Sequence, residues 1–233
     1  MEIYIIIVFY FLIVIYSIVL HEVGHAVVAL WLGDKTAKYA GRITLDPISH
    51  IDIFGSIIVP LILYMTGGTI FGWAKPVPYN PNNLRDKKWG NTVVALAGPA
   101  TNFLLAFLAS IGAWLIPISS AKSYMIEIAL FTHSFDDLLT YLSGDTFAVL
   151  YMILIMIMLS NVVLGIFNLL PIPPLDGSKF LYDAFHINTE IKIFLERWGI
   201  LILIILITLP PVDYLLSFLI NSTLRSFLYL VHL

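Results

Sequence analysis

From Ile3 to Leu32 the chain is apolar almost without interruption, and no lysine or arginine appears before Lys35. At 1.5 Å per residue, a run of roughly 30 residues makes ~45 Å of helix, against a bilayer hydrocarbon core of ~30 Å. Such a helix must tilt, protrude or bend. Four more apolar stretches follow at about 54–71, 92–117, 147–170 and 199–220. Charged residues are 12% of the sequence and hydrophobic ones 60%, whereas a soluble domain carries about 25% charged residues. In hydrocarbon every backbone group must find its partner internally, and helices achieve that. The expected fold is therefore an all-α polytopic membrane bundle of four to six spans. Residues 1–233 read as a single membrane-embedded domain, with no internal repeat and no low-complexity linker.

Several function classes fall away at once. The net charge is −3, with no basic run or stripe, so nothing suggests a nucleic-acid partner. There is no cysteine, which excludes disulfides, thiol catalysis and thiolate metal sites. A metal, if bound, must be held by histidine and carboxylate. The N-terminal apolar run lacks the positive start of a signal peptide and continues past any cleavage point, so it reads as a retained span.

The basic residues suggest a path through the bilayer. The second stretch is short, with Pro60 inside it and Gly67-Gly68 near its end, a composition found in re-entrant or broken segments. If it dips in and returns, Lys35, Lys38, Arg42, Lys75, Arg85, Lys87 and Lys88 all share one face. Residues 33–91 and 171–198 are then cytoplasmic and the N-terminus lies outside. A four-crossing path fits this reading best. Five or six crossings stay open, with 126–142 as a further, amphipathic candidate. Trp73, Trp89, Trp114 and Trp198 lie near span ends, as an interfacial belt would place them.

Inside the first run sits His21-Glu22-Val23-Gly24-His25. On a helix, positions i and i+4 share a face, so both imidazoles can reach one metal ion. Glu22 lies about 100° round the axis, beside the metal, where it can take a proton from a water that the metal polarises. Two histidines, a carboxylate and water suit Zn²⁺. Ionisable groups within a span cost roughly 2.5–3.5 kcal/mol each on insertion scales, which makes a functional site the default reading. The third ligand is sought at Asn168-Leu169-Leu170-Pro171-Ile172-Pro173-Pro174-Leu175-Asp176-Gly177. There the prolines end a span and Asp176 falls at a turn. The plainer reading is that Asp176 caps a short helix.

These motifs resemble the site-2 protease family of intramembrane metalloproteases. The likeness rests on HExxH in the first span, N-x-x-P-x-P-x-L-D-G in a later one, and Gly98-Pro99-Ala100-Thr101-Asn102 in the 92–117 stretch. The stretch from Arg42 to Asp52 and the following FGWAKPVPYNP look like the compact prokaryotic branch, without PDZ or cystathionine-synthase-type domains. The resemblance implies one Zn²⁺ per chain, held by His21, His25 and Asp176, with Glu22 as general base. It implies an endopeptidase acting within or beside a transmembrane segment of another protein, in a prokaryotic inner membrane, with the site opening toward the cytoplasm. Asn168 matches a family asparagine associated with substrate backbone or the oxyanion, and Asn102 a position nearer structure. Oligomeric state is not legible.

His50 could shield the metal or bind substrate, or simply bond to backbone. His133 with Asp136 and Asp137 has metal-ligand spacing but falls in the poorly basic 118–146 loop. His186 and His232 show no partner in sequence. Segment 36–45 has little helix character and could offer a β-like edge to a substrate. A zinc or proton transporter using His, Glu and Asp as a relay is the alternative function. A noncatalytic scaffold would need neither HExxH nor LDG, and a prenyl-protein-type zinc protease would take a glutamate as its third ligand.

Overall fold

A computed structural model describes residues 2–65, 74–132 and 134–233, and every regular element among them is helical. The first apolar run forms one helix, α1, from Glu2–Trp31. Its end is set by Gly33, whose φ of 108° is open to glycine. The Gly33 and Asp34 amides bond back to the carbonyls of Leu30 and Ala29 at 3.1 and 2.9 Å. Asp34 then gathers the loop: its carboxylate accepts from the Thr36 amide and hydroxyl, the Asn80 amide and the Asn83 side chain.

After α1 come short pieces: α2 (Thr36–Tyr39), a 3-10 turn (Pro47–His50), a wide helical turn (Ile53–Ile58), α3 (Val59–Met65) and a second 3-10 turn (Pro81–Asn83). The strand-like edge expected over 36–45 is not formed. Residues 36–39 close a helical turn instead, and the Tyr39 and Ala40 amides bond to the Lys35 and Thr36 carbonyls at 3.0 Å. The second apolar stretch is described only to Met65, as α3 and the turn before it. Gly67-Gly68 and Trp73 lie outside the described residues.

The remaining helices are α4 (Gly90–Trp114), α5 (Ser120–Phe131), α6 (Phe135–Leu142), α7 (Thr146–Leu169), α8 (Gly177–Ala184), α9 (Thr189–Ile207) and α10 (Pro210–Val231). Among the described residues, four helices are long and apolar enough to cross a membrane: Ile3–Trp31, Gly90–Trp114, Thr146–Leu169 and Pro210–Val231. The first three match the sequence reading. The fourth corrects it, because the 199–220 stretch does not form one helix. Proline cannot continue a helix but starts one well, so α9 ends at Ile207 and Pro210 opens α10. Among the described residues the amphipathic 126–142 segment holds no helix long enough to cross. It forms α5 and α6, of 12 and 8 residues, where a span needs ~20.

The chain divides into two compact units. One holds α1 up to Ser17, Asn102–Asn168 and Leu201–Leu233. Its core includes Ala106, Ala109, Ile126, Ile155, Met158 and Val162. Small residues on α4 let α7 approach closely, as is usual between helices in lipid. The other unit holds Ile18–Thr101 and Leu169–Ile200. Its cores are smaller: Ala26, Ala37 and Val77 in one cluster, Ala29, Leu84 and Val94 in the other. Every residue of the metal centre lies in this second unit.

Candidate metal centre

Three elements of one unit supply the site: the second half of α1, the first half of α4, and the loop that enters α8. α1 and α4 meet at Gly24, where an added Cβ would strike the Thr101 hydroxyl and come within 3.1 Å of the Ala97 carbonyl. The glycine of HEVGH thus lets α4 lie against the face that carries the histidines. The 170–176 loop folds back just as tightly. A Cβ on Gly177 would overlap the Leu169 carbonyl and lie 2.6 Å from that of Leu170. The Pro173–Pro174 bond is cis, and Gly199 of α9 packs against it.

Asp176 stands at the entrance to α8, yet its side chain caps no amide there. At the other end of α8, Asp183 caps α4. Its carboxylate accepts from the Thr92 amide and hydroxyl at 3.0 and 2.7 Å, and from Asn91 at 3.4 Å. α8 is therefore a strut: one carboxylate fixes it to α4 and the other, seven residues earlier, faces the histidines.

The geometry converges on a point. His21 Nε2 and His25 Nε2 lie 3.0 Å apart, and Asp176 Oδ2 lies 3.0 and 3.2 Å from them. The rings meet edge to face, 86° apart. Tetrahedral zinc with bonds of ~2.0–2.1 Å separates its ligands by about 3.3 Å, so three atoms at these distances could hold one ion. Tautomer chemistry agrees. His25 Nδ1 lies 2.7 Å from the Val94 carbonyl, which can only accept, so Nδ1 carries the proton and Nε2 presents a lone pair. Asp176 Oδ2 is buried and takes no hydrogen bond, although two imidazole nitrogens stand within 3.2 Å. A buried carboxylate oxygen without a hydrogen bond, set beside the His25 lone pair and His21 Nε2, is a setting that suits a cation.

Gly98 of α4 completes the wall. A Cβ there would collide with His25 Nε2 and lie 2.5 Å from His21 Nε2. Space for an ion exists because this position has no side chain. Glu22 lies outside the trio, and its Oε2 accepts the Val77 amide at 2.8 Å. The carboxylate is thus held at the site without being a fourth member of the converging set.

Comparison with known proteins agrees with this geometry. Residues 9–207 match peptidase family M50, the site-2 proteases. The chain belongs to family M50. Among its M50 relatives is YwhC of Bacillus subtilis (strain 168), provisionally named a zinc metalloprotease. It is 35% identical over 93% of this chain and 87% of its own length. Rip2 of Mycolicibacterium smegmatis, named in the same provisional way, is 29% identical over 84% of this chain and 65% of its own length. Rip2 of Mycobacterium tuberculosis (strain H37Rv) is 28% identical over 84% and 64%. No solved structure matches significantly. This M50 chain is a zinc metalloprotease and an integral membrane protein. Its family membership does not favour the transporter reading.

The other sequence candidates fall elsewhere. Asn102 is fully buried and donates to Asn161 Oδ1 at 2.8 Å and to the Ser17 carbonyl at 3.4 Å, a bridge joining α1, α4 and α7. Asn168 donates to the Leu164 carbonyl one turn back on α7, at 3.0 Å. His50 is buried with Nε2 3.1 Å from the Thr44 carbonyl oxygen. His133 lies outside the described residues. His232, which had no partner in sequence, pairs with Glu127 at 3.0 Å. Sequence reasoning missed Val94, Gly98, Val77 and Asp183. Only Gly98 left a trace, as the first residue of the GPATN motif.

Proposed function

We propose that the chain is an intramembrane endopeptidase that cuts peptide bonds within or beside the transmembrane segments of other membrane proteins. The convergence of His21, His25 and Asp176 within 3.2 Å of one another carries the reading. These three residues would hold one Zn²⁺, with His25 set in its ligating tautomer by Val94. Zinc in such a set lowers the pKa of the attacking water and polarises the scissile carbonyl.

The protein's own part falls to Glu22. Its carboxylate, anchored on the Val77 amide, takes the proton from the attacking water and hands it to the departing amine. His21 and His25 are both buried, so the ion would sit away from the protein surface. A substrate helix hides its amides in internal hydrogen bonds, so it must be extended locally. The second apolar stretch is read as re-entrant and the whole chain as one protease domain. Residues 33–91 and 171–198 face the cytoplasm, and water reaches the site from that side. Regulated cleavage of a membrane-tethered factor in a prokaryotic inner membrane is the setting this architecture suits.

The test uses wild type and Glu22→Gln, purified in detergent, with zinc measured in each and a panel of transmembrane peptides as substrate. Equal zinc in both, with cleavage by wild type alone, is the expected result. Failure of Glu22→Gln to retain zinc would make Glu22 a ligand. Undiminished cleavage by the variant would remove it as the base.

A further inference from the structure

Glu22 depends on a peptide segment that is itself clamped, and the clamp points to a residue outside the ligand set. The amide that bonds Glu22 belongs to Val77, two residues beyond Lys75. The Lys75 side chain is exposed, yet both of its peptide groups are held. Its N–H donates to the His50 carbonyl at 2.9 Å, and its C=O accepts from Arg42 Nη2 at 2.6 Å. Arg42 is anchored in turn, because its own amide donates to the Ala37 carbonyl at 3.0 Å. The His50 side of the clamp is fixed by the 3-10 turn it ends and by its bond to Thr44.

Arg42 is an odd residue to find here on stability grounds. It is 7% exposed, and its Nε has no acceptor. A buried guanidinium with an unsatisfied N–H is costly, and simple packing would favour an apolar side chain. Its Nη2 bond to the Lys75 carbonyl locates the role that offsets that cost.

We propose that Arg42 is a positioning residue for the peptidase reaction, fixing Lys75 so that the Val77 N–H holds the Glu22 carboxylate in place. The effect runs from Arg42 to the Lys75 carbonyl, through Pro76 to the Val77 amide, and from there to Glu22 Oε2. Arg42 touches none of the ligands, so metal binding does not depend on it. The inference rests on Glu22 being the base, as argued above.

The experiment compares wild type, Arg42→Ala, Arg42→Lys and Glu22→Ala, all as purified full-length zinc protein. It measures zinc content, kcat and KM on one transmembrane peptide, and hydrogen exchange at the Lys75 and Val77 amides. In Arg42→Ala, zinc and KM should stay within about twofold. Because an angstrom-scale misplacement costs up to about a hundredfold, kcat should fall by about ten- to a hundredfold. Arg42→Lys, which can still reach one carbonyl, should recover part of that loss. Val77 exchange should speed up in Arg42→Ala and in Glu22→Ala, whereas Lys75 exchange should speed up in Arg42→Ala alone. Unchanged kcat in Arg42→Ala, or a Val77 amide that stays protected there, overturns the proposal. So does loss of zinc and of the overall exchange pattern together, which would make Arg42 merely structural. If wild type cleaves no peptide, the reading of the site fails, while the exchange pattern still decides whether the clamp exists.

Discussion

Gly98 governs what the two imidazoles can hold between them. A methyl group there would sit 2.5 Å from His21 Nε2 and overlap His25 Nε2, and the α4 backbone cannot yield without moving the Val94 carbonyl that orients His25. Gly98→Ala is expected to keep the helical content of the wild type and lose zinc, read as metal per chain after dialysis, by at least about tenfold. Asp34 works on pH. Desolvation raises its carboxyl, but hydrogen bonds from Thr36, Asn83 and Asn80 outweigh that, and the net direction is down. A folded pKa below the unfolded value of ~3.9 gives stability that is complete above that value and is lost as pH falls through the folded one. The melting-temperature gap between wild type and Asp34→Asn should therefore be flat above about pH 5 and narrow below about pH 4. At this scale the sequence disclosed what local spacing encodes. The histidines of HEVGH share a helix face by arithmetic, and Asp176 stands after a proline run. The Val94 carbonyl lies 69 residues from His25 and the Val77 amide 55 from Glu22. Backbone groups at such separations leave no mark in side-chain identity.

Among the elements, α8 has more influence than its eight residues suggest. Removing the cap in Asp183→Ala should cost about 1–2 kcal/mol. Because the same helix begins at Asp176, zinc release to a chelator should quicken as the melting temperature drops. A lower melting temperature with unchanged zinc release would show that the cap and the ligand are uncoupled. The spans themselves were readable, since α1, α4 and α7 fall within about three residues of the apolar stretches. The last one was not, for a physical reason. Apolar composition says that a segment tolerates lipid but does not say where one helix stops and the next begins. Pro210-Pro211 carried that information. The short pieces after α1 were hardest to read, because their shape comes from the Asp34, Asp46 and Asp52 side chains bonding to nearby amides. These contacts compete with strand pairing over the same residues.

For the whole molecule, ten of the twelve lysines and arginines fall in the unit that holds the metal centre. Only Lys122 and Arg225 belong to the other unit. The positive-inside rule is the ground for the proposal that the site-bearing loops face the cytoplasm. The chain has no cysteine, so a thiol introduced at Lys87 or at Lys122 can be labelled without background. In sealed right-side-out cells, a membrane-impermeant reagent should reach the thiol at 122 and not the one at 87. The reverse pattern would invert the topology. The same lack of thiols gives the His21–His25–Asp176 trio a second meaning. Two of its members lie near the start of the chain and one far along it, and no disulfide can join such distant parts. One ion bound there would close that large loop of sequence, and such a crosslink would be reversible and set by the supply of metal.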